Sequence, residues 1–320
     1  MIEQIFLVTG SAGFIGYHLC RSLLIDGFKV IGVDCLNSYY DTKLKLARLE
    51  ELKPYKNFNF YKVDISDSKS MKKLFEMHRP TKVINLAAQA GVRYSIKNPN
   101  AYLKSNLVGF LSVIELCRQF NVQGLIYASS SSVYGKNRKI PFHIEDKVDK
   151  PISFYGATKR ANELIAHSYS HLYGIHTTGL RYFTVYGPWG RPDMAYFIFT
   201  KNILSNNPIE VFNQGKMRRD FTFIDDIIIG TRAAIEKNFE YEIFNLGNNK
   251  SENLIDFISL IENELGKKAI IEYKPMQAGD VIENYADIDY SIDKLGYHPK
   301  TSINEGIKDF IKWYKSFYYK

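Results

Sequence analysis

A glycine-rich turn between a buried strand and a helix restricts the fold more than any other part of this sequence. The apolar run IFLV at residues 5–8 predicts a buried strand. It leads into GSAGFIG at residues 10–16 and an apolar helical pattern that continues to Leu24. Glycines there let the backbone approach a pyrophosphate, and the free amides and helix dipole favour an anion. The turn therefore predicts a dinucleotide-binding site formed by Gly10, Gly13, Phe14, Ile15 and Gly16.

The second predicted strand ends in a carboxylate at the spacing expected for a ribose-binding residue. Residues 29–33 form this strand, and Asp34 follows it. Asp34 would repel a 2′-phosphate, and the next residues, Cys35, Leu36 and Asn37, provide no cation to bind one. The sequence therefore predicts NAD rather than NADP, with Asp34 and Asn37 beside the cofactor.

The rest of the amino-terminal half alternates predicted strands at 58–63, 82–86 and 124–128 with helices at 70–77 and 101–119. Such alternation predicts an α/β fold with a doubly wound parallel sheet, a Rossmann fold. We expect residues 1–182 to form this NAD-binding domain. Residues 183–320, where the alternation loosens, are expected to form a smaller α/β lobe for the substrate. A strand at 242–246 can return to the main sheet.

Two loops that follow predicted strands place further residues at the carboxyl edge of this sheet. Asp64, with Ile65 beside it, can accept a hydrogen bond from an adenine amine, and it can equally be a solvated loop acid. The small residues from Ala87 to Gly91 leave room for a ligand at the crevice, and we expect Arg93 to lie beside that ligand. We expect Asp64, Ile65 and Ala87 to contact the cofactor.

A tyrosine and a lysine four residues apart predict the chemistry. Tyr155 and Lys159 share a helix face, so the ammonium can reach both the phenol and a cofactor ribose. A free tyrosine has a pKa of ~10, so a base near neutrality needs roughly 3 units, or about 4 kcal/mol, of preferential phenolate stabilisation. Lysine supplies part of that stabilisation, so the pair predicts a redox enzyme with Tyr155 as its base.

Composition excludes several other classes of protein. No apolar run approaches ~18 residues and no signal-peptide pattern is present, so we expect a cytoplasmic protein without a membrane span. The net charge is +8, but the basic residues are scattered and no nucleic-acid-binding motif accompanies them. Lysines near residue 45 alternate with leucines, which predicts an amphipathic helix whose charged side faces water. Three separated cysteines, and His167 and His171 without a paired glutamate, indicate no metal site.

These motifs together resemble one family over nearly the whole chain. With the glycine turn, Asp34, YASSSSVYG at residues 127–135 and the Tyr155–Lys159 pair, the chain resembles the extended short-chain dehydrogenase/reductases that act on nucleotide sugars. The resemblance implies NAD as cofactor and a UDP-sugar as substrate. It also implies a catalytic hydroxyl in the serine run, at Ser130, that joins Tyr155 and Lys159.

Four longer segments are closely similar to the UDP-glucuronate 4-epimerases of this family. They are AQAGVRYS at 88–95, YFTVYGPWGRPD at 182–193, GKMRRDF at 215–221 and MQAGD at 276–280. Family dehydratases and decarboxylases carry acids at positions that match Ser131 and Ser132, and this chain has none there. The resemblance therefore implies transient oxidation at carbon 4, with Tyr155 taking the hydroxyl proton.

The keto sugar formed from a uronate would lose carbon dioxide easily, so its carboxylate must be restrained. We expect a clamp by Ser132, Thr184 and Arg191, because arginine binds a carboxylate through two parallel hydrogen bonds. A surface ion pair is the alternative role for Arg191.

The sugar must also present its other face to the cofactor between the two hydride transfers, so the UDP must stay anchored. The resemblance assigns the binding of UDP to Phe212, Arg219, Gln277 and Asp280. Phe212 can alternatively be a core residue. Galactose epimerases have an arginine at the position of Gln277, so this chain departs from them there. The predicted substrate-binding residues are Arg93, Ser131, Ser132, Thr184, Arg191, Phe212, Arg219, Gln277 and Asp280.

Three functions are compatible with the sequence. The preferred one is interconversion of UDP-glucuronate and UDP-galacturonate for an acidic surface polysaccharide. A second is epimerisation of a neutral or N-acetylated UDP-hexose, and a third is a nucleotide-sensing protein on the same fold. Apolar spacing on the helices that start near residues 101 and 157 suits a second subunit, and family members commonly dimerise through such helices, so we expect a homodimer.

Overall fold

A parallel seven-stranded sheet is the centre of the molecule. The computed structural model describes residues 4–277 and 280–319, so Ala278 and Gly279 of the MQAGD segment lie outside the described residues. The strands are β1 (Ile5–Thr9), β2 (Lys29–Asp34), β3 (Phe58–Lys62), β4 (Lys82–Asn85), β5 (Gly124–Ser130), β6 (Thr177–Tyr182), β7 (Thr184–Tyr186), β8 (Ile209–Phe212), β9 (Arg218–Arg219), β10 (Phe221–Phe223), β11 (Tyr241–Leu246), β12 (Glu252–Asn253), β13 (Ile271–Lys274) and β14 (Glu283–Asn284).

The helices connect these strands. They are α1 (Phe14–Ile25), α2 (Thr42–Leu52), α3 (Ser68–His78), α4 (Val92–Lys97), α5 (Pro99–Tyr102), α6 (Gly109–Gln119), α7 (Phe154–Tyr173), α8 (Ala195–Leu204), α9 (Ile224–Lys237), α10 (Leu254–Leu265), α11 (Asp289–Leu295) and α12 (Ile303–Tyr318). A π-helix spans Leu103–Val108, and short 3-10 helices span Ser131–Tyr134 and Asn213–Gly215.

The strand order β3-β2-β1-β4-β5-β6-β11 confirms the predicted doubly wound fold. All pairs in this sheet are parallel, and the chain reverses its direction of travel across the sheet between β1 and β4. Such a reversal opens a crevice at the carboxyl ends of the strands, where ligands bind in folds of this type.

Alternating residues on the strands build two separate cores. On β1, Phe6 and Val8 belong to one core with α1 and α9, whereas Leu7 belongs to the other core with α3 and α6. Since side chains of a strand point alternately to the two faces, one strand supports both layers of helices. The first core continues into the carboxyl-terminal region through α8, α10 and α12.

The carboxyl-terminal region is built on three small sheets, β7 with β10, β8 with β13, and β9 between β12 and β14. The strand predicted at 242–246 is present as β11, and it pairs with β6 at the edge of the main sheet. The last helix, α12, begins at a capping box formed by Ser302 and Glu305. A domain boundary near residue 182 stays a prediction.

The helix predicted at 101–119 is present, but a π-helix lies within it between α5 and α6, because an extra residue per turn is inserted at Leu103–Val108. One prediction about a helix is wrong. On α2, Lys45 is buried rather than facing water, and Arg48 on the same helix is buried as well. Their stems cross apolar surface and their charged ends find oxygen partners in neighbouring loops.

Within residues 4–277 and 280–319, no helix has the length and apolar character needed to cross a membrane. The same residues contain no group of three or more His, Cys, Asp and Glu side chains that could hold a metal ion.

Candidate active site

A cavity of about 250 Å³ lies at the carboxyl ends of the central strands, at the crevice between β1 and β4. Its lining includes every residue predicted to bind the cofactor and all three predicted catalytic residues. Of the predicted substrate-binding residues, only Arg191 lines it. These lining residues are Gly10, Gly13, Phe14, Ile15, Gly16, Asp34, Asn37, Asp64, Ile65, Ala87, Ser130, Tyr155, Lys159 and Arg191.

The glycine turn has the shape that a pyrophosphate requires. Gly10 has φ +71°, and a β-carbon there would lie 2.8 Å from the backbone nitrogen of Ala87, so a larger residue cannot be placed without a shift. Helix α1 follows Gly13 without a side-chain cap. The amides of its first turn therefore have no side-chain acceptor, and they stand at the cavity wall where an anion would be stabilised.

Asp34 is buried at the other end of this turn and is held by the backbone. Its Oδ2 accepts from the Ala12 amide at 3.2 Å and its Oδ1 from the Leu36 amide at 2.8 Å. Each oxygen keeps a lone pair for a ribose hydroxyl. Sequence reasoning missed a cation at this end: Lys45 lines the cavity, and its ammonium donates to the Asn37 carbonyl at 3.0 Å and to Asn37 Oδ1 at 2.8 Å.

Asp64 pairs with Lys104 on the π-helix at 2.9 Å and also accepts from Ser66. Burial alone would raise the pKa of the Asp64 carboxyl, but the hydrogen bonds from Lys104 and Ser66 lower it. Asp64 is therefore an ionised acceptor at the cavity wall, which suits contact with an amine better than a freely solvated loop position would.

The three predicted catalytic residues come together from β5 and α7. Ser130 ends β5, and it accepts from the Ser132 amide at 3.2 Å as the cap of the 3-10 helix. Burial raises the pKa of the Tyr155 phenol, whereas a hydrogen bond with Ser130 and the charge of Arg191 act to lower it. Burial is the largest of these effects, so the pKa of the phenol in the chain alone lies above its ordinary value. The role of Tyr155 as the base stays a prediction.

Lys159 does not bond to the phenol oxygen. Its ammonium donates to the Ala128 carbonyl at 2.8 Å and lies 6.0 Å from the centre of the Tyr155 ring. Burial lowers the pKa of Lys159 to about 8. The remaining N–H donors of Lys159 are therefore left for a ligand in the cavity.

A buried ion pair holds α7 against the sheet beneath these residues. Glu163 accepts from Arg181 on β6 at 2.8 and 3.0 Å and from the Ser129 hydroxyl at 2.6 Å. Ser153 begins the helix by accepting from the Gly156 amide at 3.0 Å. Both contacts fix the register that brings Tyr155 beside Ser130.

Arg191, in the loop after β7, is paired within the chain. Its Nε donates to Asp193 Oδ1 at 3.0 Å and its Nη2 to Asp193 Oδ2 at 2.5 Å. The Tyr39 hydroxyl donates to the same carboxylate at 3.1 Å. The predicted alternative of an ion pair is therefore realised, although at the cavity wall rather than on an open surface.

Four other predicted substrate residues form a second group. Arg93 pairs with Asp280 at 3.4 Å, and its guanidinium lies 4.9 Å from the centre of the Phe212 ring. Asp280 also acts on Arg219, whose pKa is lowered by burial and by Arg93 and is raised by Asp280. Residues spread over nearly 190 positions of sequence thus meet in one place.

The last four predicted substrate residues lie near this group or near Ser130. Ser131 accepts from the Asn284 amide group at 3.2 Å, and Ser132 accepts from the Ser130 hydroxyl at 3.2 Å. Thr184 opens β7, opposite Phe221 on β10. Gln277 has a buried Oε1 with no hydrogen-bond partner among residues 4–277 and 280–319, so it retains an acceptor for a ligand.

Several residues around the cavity were missed by sequence reasoning. Tyr39, Tyr40 and Met194 line it, Arg48 and Asp193 hold its loops, and Asn106 links Gln89 to Thr158 from the π-helix. The doubled tyrosine after the ribose loop was the available signal for Tyr39 and Tyr40. The others depend on contacts between distant segments, for which a single sequence contains no local pattern.

Known proteins resemble this chain over almost its full length. UDP-glucuronate 4-epimerase 4 of Arabidopsis thaliana is 46% identical over 332 residues, covering 98% of this chain and 75% of that protein. A crystal structure of UDP-glucuronic acid 4-epimerase from Bacillus cereus in complex with UDP-glucuronic acid and NAD has a TM-score of 0.93 and 35% identity, over 98% of this chain and 100% of that chain. The UDP-glucose 4-epimerase of Thermotoga maritima, solved with UDP-glucose, has a TM-score of 0.90 and 33% identity, over 98% and 99% of the two chains.

The resemblance found in the motifs is confirmed by a family model that describes an NAD-dependent group of epimerases and dehydratases and matches residues 6–247. That range contains the glycine turn, Asp34, the serine run, the Tyr155–Lys159 pair and Arg191. The chain therefore belongs to the NAD dependent epimerase/dehydratase family.

Proposed function

We propose that this protein is an NAD-dependent 4-epimerase that interconverts UDP-glucuronate and UDP-galacturonate. The observation that carries the proposal is a single cavity with Asp34, the Ser130, Tyr155 and Lys159 group, and Arg191 in its wall. Relatives whose names or complexes contain UDP-glucuronate support the same substrate. The cofactor fits the cavity, because the glycine turn suits a pyrophosphate and Asp34 suits a ribose.

Bound NAD would accept a hydride from carbon 4 of the sugar and later return it. Tyr155 takes the proton of the 4-hydroxyl as this carbon is oxidised and gives it back on reduction. Ser130, within hydrogen-bonding reach of the phenol, shares that proton path. Lys159 supplies the nearby positive charge that a buried phenolate needs, and its pKa of about 8 keeps it largely charged at neutral pH.

Arg191 is the residue we assign to the sugar carboxylate, together with Ser132 and Thr184. Asp193 occupies its Nε and Nη2 atoms, and within the described residues Nη1 makes no hydrogen bond. The N–H groups at Nη1 can donate to one oxygen of the substrate carboxylate, and two-point binding of that carboxylate requires Arg191 to leave Asp193. Restraint there keeps the carboxylate out of the alignment that decarboxylation of the keto sugar requires.

The group formed by Arg93, Phe212, Arg219 and Asp280 is the part we assign to UDP. Two guanidinium groups suit a pyrophosphate, and an aromatic ring beside them suits a base. Ser131 and Gln277 border this group. Anchoring the nucleotide there leaves the sugar able to turn, which epimerisation through one hydride site requires.

We also propose that the protein is a homodimer. Apolar side chains are exposed on adjacent parts of the π-helix, α6 and α7, which is unusual for a surface that faces only water. These residues are Leu103, Val108, Leu111, Phe154 and Leu164. Helices α6 and α7 pack beside each other, so their exposed faces can form one interface with the same face of a second copy.

The test is direct incubation of the protein with UDP-glucuronate, UDP-glucose and UDP-N-acetylglucosamine in separate reactions, with the products resolved by chromatography. We expect UDP-galacturonate from the first and little conversion of the others. Arg191→Ala should weaken binding of the uronate and release some UDP-pentose, and unchanged kinetics of this variant would reject the clamp.

A neutral UDP-hexose is the second candidate substrate, favoured by a solved relative that holds UDP-glucose on nearly the same fold. Faster conversion of UDP-glucose than of UDP-glucuronate would establish it. Tyr155→Phe distinguishes both candidate epimerase activities from a nucleotide sensor. An epimerase would lose turnover in this variant, whereas a sensor would bind the nucleotide as before and show no turnover in either form.

A further inference from the structure

Arg191 and Asp193 form a two-point ion pair at the wall of the cavity, only two residues apart in the chain. Both side chains are largely but not fully buried, with 23% and 27% of their surface exposed. An arginine held by two parallel bonds to a carboxylate has its charge balanced before any ligand arrives. A sugar carboxylate that binds Arg191 must therefore compete with, or be repelled by, Asp193.

Tyr39 fixes the position of the Asp193 carboxylate. Its hydroxyl donates to Asp193 Oδ2 at 3.1 Å, and its ring packs against Tyr94 with centres 4.8 Å apart. Burial and the charge of Asp193 raise the pKa of Tyr39 to about 12, so the hydroxyl keeps its proton and stays a donor. Tyr39 lies in the loop after Asp34, so the pair is held from the cofactor side of the cavity.

The backbone of the Arg191 loop is itself fixed by a buried arginine. Arg48 donates to the carbonyls of Trp189 and Gly190, to the Ala12 carbonyl in the glycine turn and to the Tyr40 hydroxyl. Trp189 has φ +60°, a left-handed conformation that these bonds hold in place. With the backbone fixed, the adjustable parts of this wall are the Arg191 and Asp193 side chains.

In the proposed reaction, the sugar carboxylate must dissociate from Arg191 once in each catalytic cycle. Because the keto sugar turns its other face to the cofactor, its carboxylate must leave Arg191 midway. A largely buried guanidinium without a partner is costly, so a site without an internal counter-ion would hold the carboxylate and slow the turn.

We propose that Asp193, held by Tyr39, is the counter-ion to which Arg191 returns whenever the sugar carboxylate leaves it. This inference rests on the proposed function. Asp193 and Tyr39 are then positioning residues that weaken ground-state binding of an acidic sugar and speed its turning. Neutral sugars, which have no carboxylate to release, are not affected by this exchange.

The test is Asp193→Asn, which keeps the shape of the side chain and removes its charge. We expect the Kd and KM for UDP-glucuronate to fall about fivefold and kcat to fall by a similar factor, which is the upper end of what a partly exposed charge pair contributes. The Kd for UDP-glucose should stay unchanged. Tyr39→Phe should change the uronate constants in the same direction by a smaller factor. Asp293→Asn, on an exposed pair with Lys294, is the matched control and should change none of them.

Binding by calorimetry and turnover by product analysis separate the outcomes. If wild-type protein converts UDP-glucuronate but Asp193→Asn binds it no more tightly, or loses affinity for both sugars, the counter-ion role is wrong and the proposed function stands. If the wild-type protein neither binds nor converts UDP-glucuronate, the proposed function fails and this inference fails with it. Thermal unfolding of each variant identifies a folding defect, and Tyr39→Phe then provides the decisive measurement.

Discussion

Lys159 shows how one residue can serve the site at a cost to the fold. Its ammonium is buried, with a backbone carbonyl as its protein partner and no carboxylate within salt-bridge distance among the described residues. Burial lowers its pKa to about 8 from the 10.5 of a free lysine, which means that the folded state disfavours the charged form. The buried position of this cation is therefore better explained by its proposed role toward a ligand and Tyr155 than by a contribution to stability.

The variant Lys159→Met should separate these two roles. We expect turnover to fall at least ~100-fold, because the phenolate and the cofactor lose their neighbouring cation. The free energy of unfolding should stay the same or rise by up to ~2 kcal/mol, because a buried charge is replaced by an apolar chain of similar length. Kinetics and urea unfolding measure the two quantities. Lys72→Met, on the exposed face of α3, should change neither, and a large loss of stability in Lys159→Met would contradict this account.

At the scale of elements, the position of α7 depends on one ion pair in the interior. Glu163→Ala leaves Arg181 buried without its counter-ion, so we expect it to lower the free energy of unfolding by roughly 3–5 kcal/mol. The matched control is Glu115→Ala, which breaks a partly exposed pair with Arg118 and should cost about 1 kcal/mol or less. Equal losses in the two variants, measured by chemical unfolding, would show that the buried pair does not anchor the helix.

The attachment of α1 to the Arg191 loop should depend on pH. His18 Nε2 lies 2.9 Å from the Pro188 carbonyl and donates to it, and burial lowers the pKa of His18 from the ordinary 6.5 of a histidine to about 4. Between these two values, the unfolded chain takes up a proton that the folded chain does not. Stability is therefore fully present above pH 6.5 and is lost as the pH falls through this window, by about 3 kcal/mol.

His18→Gln keeps a hydrogen-bond donor for Pro188 without a titrating ring. Its free energy of unfolding should vary less between pH 6.5 and 4 than that of the wild-type protein. Parallel pH profiles for the two proteins would assign the acid sensitivity to other groups.

For the molecule as a whole, the sequence predicts those parts of the fold and of the site that depend on short sequence patterns. The turn after β1, the carboxylate at the end of β2 and the serine, tyrosine and lysine group depend on short spacings, and the structure brings them to one cavity. The contacts of Arg48 and of Asp193 with Tyr39 join segments about 140 and 154 residues apart, so no local pattern indicates them. The same holds for the buried Lys45, whose helix pattern is that of an exposed surface, and for the π-helix within an apolar repeat.

The proposed dimer gives a prediction at this scale. A charge placed in the exposed apolar face, as in Leu111→Glu or Leu164→Glu, should convert the dimer to a monomer, which light scattering after size-exclusion chromatography measures directly. Ile229→Glu, at an exposed apolar position on α9, is the matched control and should leave the mass unchanged. A wild-type protein that elutes as a monomer at micromolar concentration would contradict the proposal.

The return of β11 to the edge of the main sheet has a practical meaning for anyone who divides this chain. A fragment ending at residue 182 would leave the hydrogen-bonding groups of the completely buried β6 open along one side. Such a fragment should self-associate when produced in cells, whereas in one extended through β11 the open side of β6 would be paired. The amino-terminal sheet is thus completed by a strand that is synthesised about 60 residues later, and a folding nascent chain must wait for it.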